Sequence, residues 1–174
     1  MMSADRPSHT LTDDHGRRIT ITWIPTDRLE QYRPYFQVYG IVFNAAGQIL
    51  LIQEHGDWKI PGGTPEPGET AEQTLCRELL EEADVTIKQW VPVGVQQVHY
   101  PHNPQTHQGE LFYQYRYACL LDEQLPSTPD PDDDVTHPRR WVPAAEVTRY
   151  VQWGETGAAL FAAAIEVYRA RLQG

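Results

Sequence analysis

The 174 residues carry a formal charge of −10 with 40% hydrophobic residues, enough for one domain with a sizeable core. That acidity argues against holding long nucleic acid by its phosphates, which takes a basic surface, but admits a small anionic substrate bridged by cations. No apolar run reaches the ~18 residues of a membrane span and no signal-peptide pattern is present, so no membrane partner and a cytoplasmic location are the default expectations.

Residues 1–18 are polar and aperiodic, which predicts a flexible N-terminal tail ahead of a single domain over 19–174. From Ile19 the segment ITITWI alternates and is β-branched, a strand that Pro25 ends; Asp27 to Tyr35 reads as a connector with one helical turn. Phe36 to Phe43 and Ile49 to Gln53 are β-prone runs separated by NAAGQ, a hairpin signal. This hairpin leads into the loop Trp58 to Glu69, where Gly62 and Gly63 allow positive φ and close backbone approach while Pro65 and Pro67 stiffen the path.

Thr70 followed by Gln73 is a capping box, so a helix starts there. At about 100° per residue, Glu78, Glu81 and Glu82 share an arc of roughly 100°. Leu75, Cys76, Leu79, Leu80 and Ala83 span roughly 140° elsewhere, an apolar stripe for the core. Like charges at this spacing repel, and Arg77, which reaches Glu81 at i+4, cannot balance three carboxylates. Oxygen-rich clusters of this kind suit Mg²⁺ or Mn²⁺; the bland alternative is a solvated acidic face.

Beyond the helix, Thr86 to His99 reads as a strand with an irregularity at Pro92, and Glu110 to Leu121 as a long strand. The polar loop YPHNPQTHQG between them is placed to act as a flap; its histidines and His99 match no tight zinc spacing. Asp122 to Pro138, rich in proline and acid, is a surface loop, followed by a short strand Arg139 to Val142, a short helix within Pro143 to Val151, and a terminal helix over Ala158 to Leu172. Cys76 and Cys119 lie in apolar runs and read as buried reduced thiols. Strands and helices interleave without regular repeats, so the fold class is α/β (α+β), a mixed sheet covered by helices.

The stretch Gly63 to Val85 resembles the Nudix box, in which a glycine, five residues, a glutamate and seven residues precede REUxEExGU, with U aliphatic. Gly63, Glu69, Arg77, Glu78, Leu79, Glu81, Glu82 and Val85 match; Asp84 stands where the family has glycine, an expected cost of about 1 kcal/mol to the helix cap. The resemblance implies a Nudix-type α/β/α sandwich and Mg²⁺- or Mn²⁺-dependent hydrolysis of a pyrophosphate linkage in a small nucleotide, with water attacking phosphorus. It further implies Glu78, Glu81, Glu82 and the Gly62 carbonyl as metal ligands, with Glu69 and Arg77 holding the helix carboxylates in place. The general base stays open between Glu78 and a loop acid such as Asp134, with Asp132, Asp133 and Glu110 as further candidates. Trp58, Tyr100 and Phe112 are candidates for stacking on a nucleobase, each also readable as core. Pro101, sixteen residues past Val85, stands where ADP-ribose hydrolases of the family carry proline, which points to ADP-ribose or a nucleotide-sugar. The alternatives are removal of damaged nucleoside triphosphates and, from another class, a nucleotide-sensing module without turnover. Family members often dimerise, so a homodimer using the N-terminal strand is also an expectation.

Overall fold

The computed structural model describes residues 6–173. One mixed sheet runs in the order β1 (Ser8–Thr12), β2 (Arg18–Pro25), β7 (Val85–His99), β8 (Leu111–Gln124), β3 (Tyr35–Phe43), β4 (Gln48–Glu54), β5 (Asp57–Lys59). The two-residue β6 (Gly62–Gly63) pairs with β3, and β9 (Arg139–Pro143) pairs with β4. Among the described residues only β3 and β8 pair in parallel; the other pairings are antiparallel.

Alternation along the strands divides the core into two layers, because successive side chains leave opposite faces. Val38 and Val42 of β3 point to the face covered by α1 (Ala71–Ala83), where Leu75, Leu79 and Ala83 are buried; Ile41 and Phe43 point to the face covered by α3 (Gly154–Val167), against Leu160, Phe161 and Ala164. A Cβ on Gly40 would lie 3.1 Å from Leu79 Cδ2 and 3.2 Å from Leu75 Cδ1, so glycine lets α1 sit close on the middle of β3. The result is the expected α/β/α sandwich with a mixed sheet. No helix among the described residues is long and apolar enough to cross a membrane.

Three expectations need correction. Residues 8–12 are not a tail but the edge strand β1, registered Ser8↔Thr22 to Thr12↔Arg18. Its exposed, hydroxyl-rich sequence gives no apolar signal, yet it is held by Ser8 to Thr22 and Thr10 to Thr20 hydroxyl contacts and by His9 Nδ1, 2.7 Å from the Thr156 hydroxyl of α3. Residues 1–5 lie outside the described residues. The hairpin after Phe43 is confined to its turn, Phe43↔Ile49, because β6 takes the neighbouring edge of β3 and β9 lies along β4. The last helix begins earlier than Ala158, at Gly154, and widens into a π turn at Tyr168–Leu172. The short helix within 143–151 is α2 (Val147–Tyr150), preceded by a 3-10 turn.

Candidate active site

The glycine loop and α1 are joined by specific contacts. Gly62 adopts φ 146°, and a Cβ there would fall 2.3 Å from the Val38 carbonyl oxygen, so the β6 pairing with β3 requires glycine. At Gly63 a Cβ would fall 2.5 Å from the Glu78 carboxylate, so the missing side chain makes room for that group. The capping box forms in full: the Gln73 N–H donates to Thr70 Oγ1 and the Thr70 N–H to Gln73 Oε1.

Arg77 organises the carboxylates. Its Nε and Nη2 donate to the two oxygens of Glu69 at 2.7 and 3.0 Å, Nη1 donates to Glu78 at 3.0 Å and Glu81 at 2.9 Å, and Nη2 also reaches the Thr64 carbonyl at 3.0 Å. Those bonds, with the Glu66 N–H and the Thr74 hydroxyl, hold the Glu69 pKa down at about 2. Glu82 is served by a different cation. Lys59 Nζ lies 3.1 Å from Glu82 Oε1 and 2.8 Å from Glu54 Oε2, and the Gly62 N–H donates to Glu82 Oε2 at 2.7 Å. Burial disfavours the Lys59 charge, but Glu82 and Glu54 outweigh it and its pKa rises.

Glu78 departs from the helical-wheel reading: it is buried, while Cys76 and Leu80, assigned to the core stripe, are exposed. Burial pushes the Glu78 pKa up to about 7, with Arg77 opposing and Glu82 and Glu81 adding to the rise. Burial likewise raises Glu82, with Lys59 and the Gly62 N–H opposing.

A cavity of about 280 Å³ opens at this corner. Glu78, Glu82, Arg77 and Gly63 line it together with Glu54 and with Asp130, Asp132 and Asp133 of the acidic loop. Asp134, the loop acid favoured on sequence, is exposed and is not among the lining residues; its backbone N–H donates to the Asp130 carbonyl at 2.8 Å. Glu110 lies elsewhere, accepting from the His102 N–H. A larger cavity, about 430 Å³, is at the N-terminal end of α1 and includes Glu69 but none of Glu78, Glu81 or Glu82. The 280 Å³ cavity, which takes in Glu78 and Glu82 but neither Glu81 nor Gly62, is therefore the candidate active site.

A second cavity, about 190 Å³, is lined by Tyr39, Lys59, Gln96, Gln114, Arg116 and Trp153 among others. Lys59 thus belongs to both the cavity and the Glu82 ion pair. Trp58, Tyr100 and Phe112 line neither cavity. Trp58 stacks under the Arg140 guanidinium at 5.0 Å, the Tyr100 hydroxyl donates to Asp13 in the β1–β2 turn, and Phe112 packs edge-on to Phe36 at 5.8 Å. Each aromatic is already occupied by a neighbour. Sequence reasoning missed Lys59 and Arg116, since one was read only as part of a loop and the other sits inside an otherwise apolar strand.

Asp84 has a purpose beyond tolerating its position. It caps α1 in the left-handed conformation (φ 48°, ψ 46°), and its carboxylate accepts from the Thr128 N–H at 3.1 Å and from the Thr128 hydroxyl. The Leu125 N–H donates to the Asp84 carbonyl at 2.8 Å, and Arg139 bridges the Ala83 and Leu125 carbonyls. The acidic loop is thereby tied to the end of the box helix. Asp84→Gly should relieve about 1 kcal/mol of backbone strain but lose two hydrogen bonds to a charged group at about 1.5–3 kcal/mol each. The expected net result is destabilisation, with faster amide hydrogen exchange over 126–137. Equal or greater stability in urea would show that the glycine the family carries is the better residue here too.

Comparison with known proteins bears on this arrangement. The chain resembles an RNA pyrophosphohydrolase of Serratia proteamaculans at 41% identity over 59 residues, a third of this chain and a third of that protein's length. In fold it is similar to the Bacillus subtilis pyrophosphohydrolase BsRppH (TM-score 0.62, 15% identity, 91% of this chain and 96% of that one). It is also similar to an Ap4A hydrolase of C. elegans (TM-score 0.52, 20% identity, 79% and 100%). A family model described as the NUDIX domain matches residues 34–162. Since that match runs from β3 through most of α3 and so takes in both walls of the acidic cavity, the chain belongs to the NUDIX domain family.

Proposed function

We propose that the chain is a Mg²⁺- or Mn²⁺-dependent pyrophosphohydrolase acting on a small nucleoside diphosphate derivative, of ADP-ribose or nucleotide-sugar type. The observation that carries this reading is the charge of the 280 Å³ cavity: seven of its ten lining residues are Asp or Glu and one, Arg77, is a cation. Such a cavity repels a phosphate unless divalent cations stand between them, and a set of carboxylate and carbonyl oxygens suits Mg²⁺ or Mn²⁺. Carboxylate oxygens suit such an ion: Glu78 and Glu82 face the cavity, Gly63 leaves a place for the Glu78 carboxylate, and Glu81 shares Arg77 Nη1 with Glu78 just outside the lining. Glu78, Glu81, Glu82 and the Gly62 carbonyl would hold it, and it would supply positive charge to the phosphate oxygens and acidify a bound water.

The chain's own groups divide the remaining work. Arg77 fixes Glu69, Glu78 and Glu81 relative to one another and to the loop at Thr64. Glu78, whose carboxylate stands in the cavity, is the candidate to accept the proton of the attacking water. Asp132, which lines the same cavity, is the alternative base.

The group attached to the pyrophosphate is assigned to the 190 Å³ cavity. Arg116 is 2% exposed, has no carboxylate partner, and donates to Gln114 Oε1 at 2.7 Å, to Gln96 Oε1 and to the Tyr115 carbonyl. Its Nε is buried and has no hydrogen-bond partner among the described residues. Burial lowers its pKa to about 10, which leaves it charged at neutral pH, 4.3 Å over the Tyr39 ring. A buried cation over the Tyr39 ring, beside the Gln96 and Gln114 amides and Trp153, favours a planar ligand with acceptor atoms on its edge, as a nucleobase has. Arg116→Leu is expected to raise KM about 10-fold or more while leaving kcat nearly unchanged, because a lost charge-assisted hydrogen bond away from the reacting atoms removes binding equally from ground and transition states. A fall in kcat at constant KM would remove this pocket from the substrate path.

A panel of nucleotides with Mg²⁺ and Mn²⁺, with products identified by mass, tests the whole reading. Release of two monophosphates from a diphosphate derivative is the expected result. Release of pyrophosphate from nucleoside triphosphates would replace it with the damaged-nucleotide reading, and inertness toward every pyrophosphate would leave a sensing module.

A further inference from the structure

Outside the box, the end of β4 and the acidic loop bring a second set of donors together. The Gln53 N–H donates to the Pro138 carbonyl at 2.9 Å, which sets His137 beside Glu54. The Asp84 contacts to Thr128 fix the loop's other end. One donor atom each from Glu54, Asp133 and His137 lies within 4.8 Å of the other two, the only such group of metal-ligating side chains among the described residues.

His137 makes this more than a cluster of acids. Its side chain is 4% exposed, and its Nε2 is buried without a hydrogen-bond partner. The nearest carboxylate oxygens are Asp130 Oδ2 at 3.5 Å and Asp133 Oδ2 at 3.6 Å. These are too long for charge-assisted hydrogen bonds, which close to about 2.7–2.9 Å. They agree instead with two ligands sharing one ion, since donors ~2.1 Å from a tetrahedral centre lie roughly 3.4 Å apart. A buried imidazole nitrogen left unpaired costs free energy, and a bound cation is the partner this geometry accommodates.

We propose that Glu54, Asp133 and His137 form a second metal site that takes a divalent ion accepting both imidazole and carboxylate, Zn²⁺ foremost and Mn²⁺ more weakly. An imidazole with carboxylates favours Zn²⁺ over Mg²⁺ or Ca²⁺, which prefer oxygen alone. Lys59, 2.8 Å from Glu54 Oε2, is the cation that competes for the site. Glu54 and Asp133 also line the cavity shared with Glu78 and Glu82, so an ion here faces the same space as the box glutamates. The site stands independently of the hydrolase reading because it is read by binding alone.

The test uses the full chain carrying Glu78→Gln and Glu82→Gln, which disables the box donors, with excess Mg²⁺ present. Calorimetric titration with Zn²⁺ should give one ion per chain. His137→Ala and, separately, Asp133→Asn should each weaken that binding at least about 10-fold. Asp133 is 43% exposed, so its replacement keeps the test valid if His137→Ala fails to fold. In the Mn²⁺-loaded chain, electron spin-echo modulation from a nitrogen nucleus should be present and should vanish with His137→Ala, since the box offers only oxygen donors. Zn²⁺ affinity unchanged by Asp133→Asn, or a Mn²⁺ spectrum without nitrogen coupling, overturns the proposal.

Discussion

Glu78→Gln is expected to lower kcat by about 10³-fold, roughly 4 kcal/mol of barrier, and yet to stabilise the metal-free protein at pH 8. Both outcomes follow from one buried carboxyl. Its pKa, about 7 in the folded chain against an ordinary 4.5, means that the folded state binds more protons than the unfolded state between those values. Stability from this group is therefore present at pH 4 and lost as pH rises through 7, by up to about 3 kcal/mol at 1.36 kcal/mol per unit. Glutamine never ionises and can still accept from Arg77 Nη1, so the variant escapes the loss. Divalent ions should reverse the order, because the proposed site would stabilise wild type at pH 8 and the variant lacks one of its donors. Melting temperatures at pH 5 and 8, with and without Mg²⁺, check the stability half; initial rates check the other. A metal-free variant that melts below wild type at pH 8 would mean that the Glu78 charge is better solvated than its burial indicates.

The helix and its preceding loop were legible because their requirements are local. Thr70 and Gln73 cap the helix through contacts three residues apart, and the left-handed Asp84 follows from its place just past the last turn. Glu78 shows where local reading stops. Its spacing put it with Glu81 and Glu82 on one face, but α1 is buried against β3 by Thr74, Leu75, Glu78 and Leu79, so the acidic and core faces overlap. The overlap is set by how closely α1 approaches Gly40 and Gly63, a distance no periodicity encodes.

Long-range pairings account for most of what was missed. Lys59 is 23 residues from Glu82, and His137 is brought to Glu54 by the β4–β9 register. Arg116 lies in a strand whose flanking Tyr115 and Tyr117 face α1, so alternation sends it to the other side, where Gln96 and Gln114 wait on neighbouring positions. Polar β1 was invisible for the opposite reason: its partners are hydroxyls and backbone, not apolar side chains.

Arg77→Ala is expected to destabilise the metal-free chain by about 2–4 kcal/mol, below the range for breaking a fully buried charge pair because this network is partly exposed. The loss is large because the guanidinium is 18% exposed and joins three carboxylates and one carbonyl that have no comparable alternative. At roughly 2–4 °C per kcal/mol for a chain of this size, the melting temperature should fall by about 10 °C. Lysine at this position keeps the charge but not the planar fork, so Arg77→Lys should recover less than half of the difference. Saturating Mg²⁺ should help the alanine variant in part only: an ion beside Glu78 and Glu81 replaces the charge Arg77 brought to them, but nothing replaces its bidentate hold on Glu69 or its bond to Thr64. Turnover should then be reduced about 10–100-fold even at saturating metal, as for other groups that orient ligands without touching substrate. If Mg²⁺ restored both stability and rate completely, Arg77 would be a mere counter-charge, and the carboxylates would find their positions without it.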